Sequence, residues 1–282
     1  MMRVAVIGAA GRMGRMVCRA IADDPDMRLV AGVNPSMGGE PLGPLIDRPD
    51  VDVQITDTLD TLLQAETEVA VDFTRPDVVM DDVKWAIDHA VHIVVGTSGV
   101  GPADLETIRK QLEDEANESN VIVVPNFAIG AVLMQRFAAE AVRYFPSAEI
   151  IELHHDGKLD APSGTAIATA ARLAEARGNA PSGPGAAGET IVGVRGGESG
   201  GVRIHSVRLP GFVAHQEVIL GGLGQTLTIR HDSTDRASFI PGVLLAIKEV
   251  VRRRGLTVGL EPLLDLPPLP PPPTGGGVAG DP

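Results

Sequence analysis

Apolar residues enter this chain in short runs that alternate with helical stretches. Val4-Ala-Val-Ile7 stops at Gly8, and Arg12 to about Ala22 then carries a helical pattern. Short apolar runs bounded by turn residues fit strands buried on both faces. Leu29–Val33 reads as the second strand. Glu68–Phe73 is another, ending in Thr74-Arg75-Pro76 and followed by a helix from Asp77 to about His89. Val91–Val95 runs into Gly96-Thr97-Ser98-Gly99, and Val121–Val124 into Pro125-Asn126-Phe127. Strands alternating with helices in this way predict an α/β fold with a Rossmann-like, parallel, doubly wound sheet.

The rhythm changes near Ala128. Ala148–His154 reads as a strand, and Thr165–Arg177 as a helix stopping at Gly178. Val202–Leu209, Glu217–Leu220 and Gln225–Arg230 alternate like strands of an open mixed sheet. The helix Ser238–Arg252 is expected to return to the first domain. The pattern therefore predicts a nucleotide-binding domain over 1–127, completed by about 236–266, and an α+β domain over 128–235. Gly178–Gly188 is expected to be a loop, and the Pro/Gly-rich tail 267–282 to be disordered, since neither has apolar surface to bury.

The length of 282 residues suits two modest domains. A formal net charge of −13 argues against nucleic acid or an anionic membrane as partner, because such binding needs a basic surface. The single cysteine, Cys18, leaves no disulfide framework, which fits a cytoplasmic protein, and its place in the first helix suggests packing. Val4–Ile7 is too short for a secretory signal core, and no apolar run reaches membrane-spanning length. No cysteine cluster suggests a metal, and His154 and His155 lack the i, i+4 spacing of common zinc helices.

Two segments carry the chemistry. Gly8-Ala9-Ala10-Gly11-Arg12-Met13-Gly14 joins a strand to a helix, the context in which glycines let the backbone turn and approach a pyrophosphate. Its spacing differs from the usual Gly-x-Gly-x-x-Gly, and an ordinary strand–helix turn is the plain alternative. The loops at Gly96-Thr97-Ser98 and Val124-Pro125-Asn126-Phe127 end neighbouring strands, where ligands of open α/β sheets bind. The second segment runs from Glu152 to Thr165. It places His154, His155 and Lys158 shortly before Ser163-Gly164-Thr165 at a helix start. Unpaired N–H groups there attract an oxyanion, and histidine can exchange a proton near neutral pH. Each feature alone is commonly a surface residue or an N-cap; together they suit an anionic substrate that must be protonated.

These motifs, in this order, resemble the 4-hydroxy-tetrahydrodipicolinate (dihydrodipicolinate) reductase family of the diaminopimelate route to lysine, from Arg3 to about Leu266. The resemblance implies hydride transfer from NADH or NADPH to a cyclic dicarboxylate and a homotetramer built through the second domain. It gives His154 and Lys158 the proton-carrying roles. His155, Ser163, Gly164 and Thr165 become substrate contacts; Gly8 to Met13, Asn34, Gly96 to Ser98 and Val124 to Phe127 become cofactor contacts. The chain departs from the family pattern at Gly157, where many members have a third histidine, and at Ser98, where many have threonine. It also has Asn34 where some members carry an acid for the adenosine ribose. A related imine reductase of another pathway and a non-enzymatic NAD-binding regulator are the competing readings. The regulator would have no reason to keep His154, Lys158 and the Ser-Gly-Thr turn together.

Overall fold

The computed structural model describes residues 1–113, 118–178, 188–269 and 271. They form two compact units, one of Met1–Ile129 with Arg236–Asp265 and one of Gly130–Asp235 with the segment from Leu266.

The first unit opens with β1 (Met2–Ile7), α1 (Arg12–Asp23), β2 (Met27–Val33), α2 (Leu42–Leu45), β3 (Ile55–Thr56), α3 (Asp60–Gln64) and β4 (Val69–Asp72). It continues with α4 (Val79–Asp88), β5 (His92–Val95), α5 (Pro102–Leu112) and β6 (Asn120–Val123). The second unit contributes α6 (Ile129–Ala141, beginning at the boundary), β7 (Ser147–His154), α7 (Gly164–Arg177), β8 (Gly197–Ser199), β9 (Val202–Arg208), β10 (Ala214–Gly222) and β11 (Gln225–Ser233). The chain then returns to the first unit as α8 (Ile240–Val250) and β12 (Gly255–Val258).

Seven parallel strands form the first sheet, in the order β12-β6-β5-β4-β1-β2-β3. Every residue of β4 and β6 is buried, as the continuous apolar runs require when helices cover both faces. On one face Val79, Val83 and Ala86 of α4 and Ile108 of α5 pack on Ala5, Ile7, Ala70, Ile93 and Val95. On the other, α1 and α8 pack together, burying Val17, Cys18 and Ile21 with Val243, Ala246 and Ile247. Cys18 is a core residue, and its burial pushes the thiol pKa up, so it is inert packing. The chain leaves β1 for β2 on one side and meets β4 on the other, which makes the carboxyl end of β1 the topological switch point of the sheet.

The second sheet is mixed, in the order β11-β10-β7-β9-β8, with β7 and β9 parallel and the other pairs antiparallel. Alternation along β7 turns Ala148, Ile150 and Glu152 inward, where Ala166, Ala170 and Leu173 of α7 and Met134 and Ala138 of α6 complete the core. Ser163 precedes α7 with extended backbone and accepts from the Ala166 N–H at 3.2 Å. Gly178 ends that helix with φ +61°, a conformation that favours glycine.

Two sequence expectations meet the edge of the described residues. Positions 179–187 of the expected loop lie outside them, as do 270 and 272–282 of the tail. The start of the tail is placed, however. The Pro267 carbonyl accepts from Arg136, and the Pro271 carbonyl from Arg143 at 2.7 Å.

Candidate active site

In the first unit, three strand ends gather around Gly8. Its φ of +84° suits glycine, and a Cβ there would lie 2.3 Å from the Phe73 carbonyl oxygen just after β4. A Cβ on Gly14 would lie 2.0 Å from the Gly8 oxygen, so the helix rests directly on the turn. Gly96, after β5, has the Phe73 and Phe127 rings against it, 5.7 Å apart between centroids, and a Cβ would come within 2.3 Å of the Phe73 ring. The loops after β4, β5 and β6 therefore pack as one body beside the glycine-rich turn.

Not every residue expected to meet a cofactor has its polar group to spare. The Thr97 hydroxyl donates to Asp72 and accepts from the Thr74 N–H at 2.6 Å. Asn34 Oδ1 accepts from the Ser36 N–H at 3.1 Å and the Ser36 hydroxyl at 2.7 Å, capping the short turn Pro35–Met37. Asn126 Oδ1 accepts from the Ala128 N–H at 2.9 Å. Arg12 and Ser98 are exposed. Sequence reasoning passed over Arg15, which donates to the Ala10 carbonyl at 2.8 Å and reaches Met37 Sδ at 3.9 Å. It ties the glycine-rich turn to the segment after β2, where Ser36, Gly39, Asp57 and Thr58 line a cavity.

The second unit assembles the proton-carrying motif. His154 ends β7, and its Nδ1 lies 2.5 Å from Glu152 Oε2. Glu152 is fully buried, chelated by Arg208 through Nη1 at 2.9 Å and Nη2 at 2.8 Å, and it accepts the Ser163 N–H at 3.2 Å. Burial pushes the Glu152 carboxyl up, but hydrogen bonds from Arg208, Ser206 and His154 outweigh it and leave it below the usual carboxylate range. Burial also lowers the His154 pKa, and the Glu152 carboxylate restores only part of the loss. The ring is therefore mainly neutral near pH 7.

Beyond β7 the Lys158 N–H returns to the His155 carbonyl at 3.1 Å, closing the turn expected at Asp156-Gly157. His155 is exposed on that turn, and a Cβ on Gly157 would lie 3.3 Å from its Nδ1. Lys158 Nζ sits between the Asp160 oxygens at 2.7 and 2.8 Å, and this bond, above all, holds the Asp160 carboxyl below its ordinary range. Gly164 is open to solvent, with nothing within 4 Å of where a Cβ would stand. Ser163 is already engaged within the protein: its hydroxyl caps α7 and its N–H serves Glu152, so it holds the helix start in place. Glu152, Asp160 and Arg208 were the residues missed. Alternation along β7 could have flagged Glu152, two positions before His154, whereas nothing local points to Arg208.

Among the described residues no acidic, histidine or cysteine group could hold a metal ion, and no helix is long and apolar enough to cross a membrane. The glycine-rich turn joins the carboxyl end of β1 to the start of α1 at the switch point of the sheet, where dinucleotides bind in such folds, so the residues present fit the expected cofactor.

Comparison with known proteins bears directly on this arrangement. The chain matches the family model described as "Dihydrodipicolinate reductase, N-terminus" over residues 2–127 and the one described as "Dihydrodipicolinate reductase, C-terminus" over 130–264. A 4-hydroxy-tetrahydrodipicolinate reductase of Nocardia farcinica is 49% identical over 266 residues, covering 94% of this chain and 99% of the relative. The Corynebacterium diphtheriae enzyme of the same name is 48% identical over 266 residues, with the same coverage. A dipicolinate-bound dihydrodipicolinate reductase from Paenisporosarcina sp. TG-14 superposes with a TM-score of 0.82 at 41% identity, covering 94% of this chain and 100% of that one. GenD2 from gentamicin A biosynthesis, solved with NAD, shares the fold at 14% identity and a TM-score of 0.60, over 93% of this chain and 90% of its own. Both halves of the sequence and the whole of the fold thus agree, and the chain belongs to the dihydrodipicolinate reductase family.

Proposed function

We infer that this protein is a nicotinamide-dependent 4-hydroxy-tetrahydrodipicolinate reductase of lysine and diaminopimelate biosynthesis, acting on a cyclic dicarboxylate. The observation that carries the reading furthest is the cluster of His154, Lys158 and the open start of α7, matched in a family whose Paenisporosarcina member was solved with dipicolinate. The Gly164 and Thr165 end of α7 and the Lys158 ammonium supply positive field for two carboxylates. His155 lies exposed on the same turn, where it can add a contact. A reduced nicotinamide, when bound, supplies the hydride. The protein must then deliver a proton to the charge that develops on the substrate. Lys158 is the donor in this reading, because its side-chain nitrogen offers N–H donors on the turn that follows His154. His154, mainly neutral, uses Nε2 to accept and relay a proton between turnovers.

Support for the cofactor site comes from the glycine-rich turn and from the loops carrying Gly96 to Ser98 and Val124 to Phe127. Asn34 has its oxygen engaged by Ser36, which leaves it amide donors rather than an acceptor for a ligand. That arrangement lacks the carboxylate that would repel a 2′-phosphate, and the cations of Arg12 and Arg15 stand on the glycine-rich turn. Both NADH and NADPH are therefore used. The domain roles follow the same division, with dinucleotide binding in the first unit and substrate binding in the second. Ile151, Leu153 and Val207 lie on the sheet face opposite α7 and are only half-buried, which supports oligomerisation of the chain, to a homotetramer, through that sheet. A cytoplasmic setting fits the pathway.

The test is absorbance at 340 nm with enzymatically generated substrate and each cofactor in turn. Turnover with both, at kcat/KM values within roughly tenfold, about 1.4 kcal/mol of discrimination, is expected. Cofactor binding without turnover would favour a regulator, and a preference for NADH beyond about a hundredfold would overturn the reading of Asn34.

A further inference from the structure

Glu152 is chemically idle in the reaction described, yet three chemistry-bearing segments meet on it and its arginine. One carboxylate oxygen, Oε1, takes the Ser163 N–H at 3.2 Å and Arg208 Nη2 at 2.8 Å. The other, Oε2, takes Arg208 Nη1 at 2.9 Å and faces His154 Nδ1 at 2.5 Å. An ionised carboxylate can only accept, so the hydrogen between Oε2 and the ring belongs to Nδ1. The second ring nitrogen, Nε2, has no hydrogen-bond partner among the described residues and is left to exchange protons. Arg208 does more than neutralise the carboxylate. Its Nη2 also donates to the Asp160 carbonyl at 2.6 Å, and the Asp160 side chain grips Lys158. One buried ion pair thus fixes the end of β7, the loop carrying Lys158 and the start of α7.

We propose that Glu152 and Arg208 are positioning residues for this reaction: Glu152 holds His154 as the Nδ1–H tautomer with Nε2 presented for proton transfer, and Arg208 locks that carboxylate while anchoring the Lys158 loop. The proposal rests on His154 being a proton carrier. The competing view is that the pair merely stabilises the fold. Buried ion pairs are often neutral to stability when replaced whole, and costly only when one partner is left unpaired.

Three variants separate these views. In Glu152→Gln the amide can turn its NH₂ toward Nδ1, which forces the hydrogen onto Nε2. The expected result is a kcat lowered at least tenfold with cofactor KM unchanged. The Glu152 carboxylate also raises the His154 pKa, so its removal moves the histidine limb of the pH–rate profile to lower pH. The double variant Glu152→Gln/Arg208→Met removes the stranded cation as well. Its melting temperature should recover relative to Glu152→Gln while kcat stays low. Recovery of kcat together with stability would reduce the pair to a structural role. The tautomer itself is read by ¹⁵N NMR of histidine-labelled full-length protein, with His154→Gln identifying the signal. An Nδ1–H pattern in the unmodified protein is expected, and an Nε2–H pattern overturns the proposal even if Glu152→Gln fails to fold. Normal kcat in His154→Gln would instead sink the proton-carrier reading on which the proposal rests, and the NMR result would still report the tautomer.

Discussion

Lys158 and His154 differ in what holds them, and the difference separates their substitutions. The lysine is pinned by an exposed carboxylate, Asp160, whereas the histidine is pinned by a buried one. Lys158→Met keeps bulk but loses the cation, so kcat should fall by about 10² or more and substrate KM should rise in steady-state assays. His154→Gln cannot cycle a proton, and a comparable fall in kcat with little change in cofactor KM is expected. A near-normal kcat for His154→Gln would leave Lys158 as the sole proton carrier. These two residues stood out in the sequence because they lie four positions apart, one at the end of β7 and the other on the turn that follows it. Their supports were less so. Glu152 shares the β7 face with His154 and was open to a period-two argument, whereas Arg208 lies 56 residues from Glu152 and meets it only because β9 pairs with β7. Ser163 and Thr97 carried hydroxyls suggestive of ligand contact, but sequence cannot show that a hydroxyl is already taken by a helix end or a buried aspartate.

At the scale of elements, the end of β4 joins backbone packing to charge. Asp72 is fully buried and accepts from Thr74 and Thr97, while the Thr74 hydroxyl also reaches Asp82 on α4 at 3.5 Å. Burial first, and then the neighbouring Asp72 carboxylate, pushes the Asp82 carboxyl up to about 8. An acid raised on folding contributes most below its unfolded pKa and loses that contribution as pH climbs to the folded value. Thermal melts of Asp82→Asn against the unmodified protein should therefore coincide near pH 4. The variant's advantage should grow toward pH 8, to at least about 2 °C, and level off above it. A gap that does not change with pH would mean that Asp82 is already ionised in the fold. The strands and helices of this unit were readable because each strand is an apolar run closed by a turn residue. Several elements were not. The short α2, β3 and α3 and the helix α5 passed unread, and Gly255–Val258 is a four-residue strand whose clearest signature is its pairing with β6 at the sheet edge.

For the whole molecule, apolar periodicity announced α8 as a helix with a buried face, and it lies in the first unit, where Val243, Ala246, Ile247 and Val250 are buried. The contacts at the described start of the tail, 267–269 and 271, did not follow from composition. Proline lacks an N–H but keeps its carbonyl, and those of Pro267 and Pro271 are acceptors for Arg136 and Arg143. Removing 272–282 should leave the melting temperature unchanged. Removing 267–282 deletes both acceptors and should lower it by about 2–4 °C in a scanning calorimeter, on the order of 1 kcal/mol. Equal melting points for the two truncations would show that the carbonyls add nothing.

The position of β7 also sets how the site can fail. It is the middle strand of five, hydrogen-bonded to β10 on one side and β9 on the other. Its amide hydrogens can exchange with solvent only when the sheet itself opens, whereas β8 and β11 at the edges can fray. The segment Ile150–His154 should then exchange at the rate of global unfolding of its unit, measurable by mass spectrometry of peptic fragments. Faster exchange there than in β8 or β11 would contradict this. A histidine carried on such a strand has no partially open state in which to idle, so loss of activity on heating and loss of the unit's structure should be a single event.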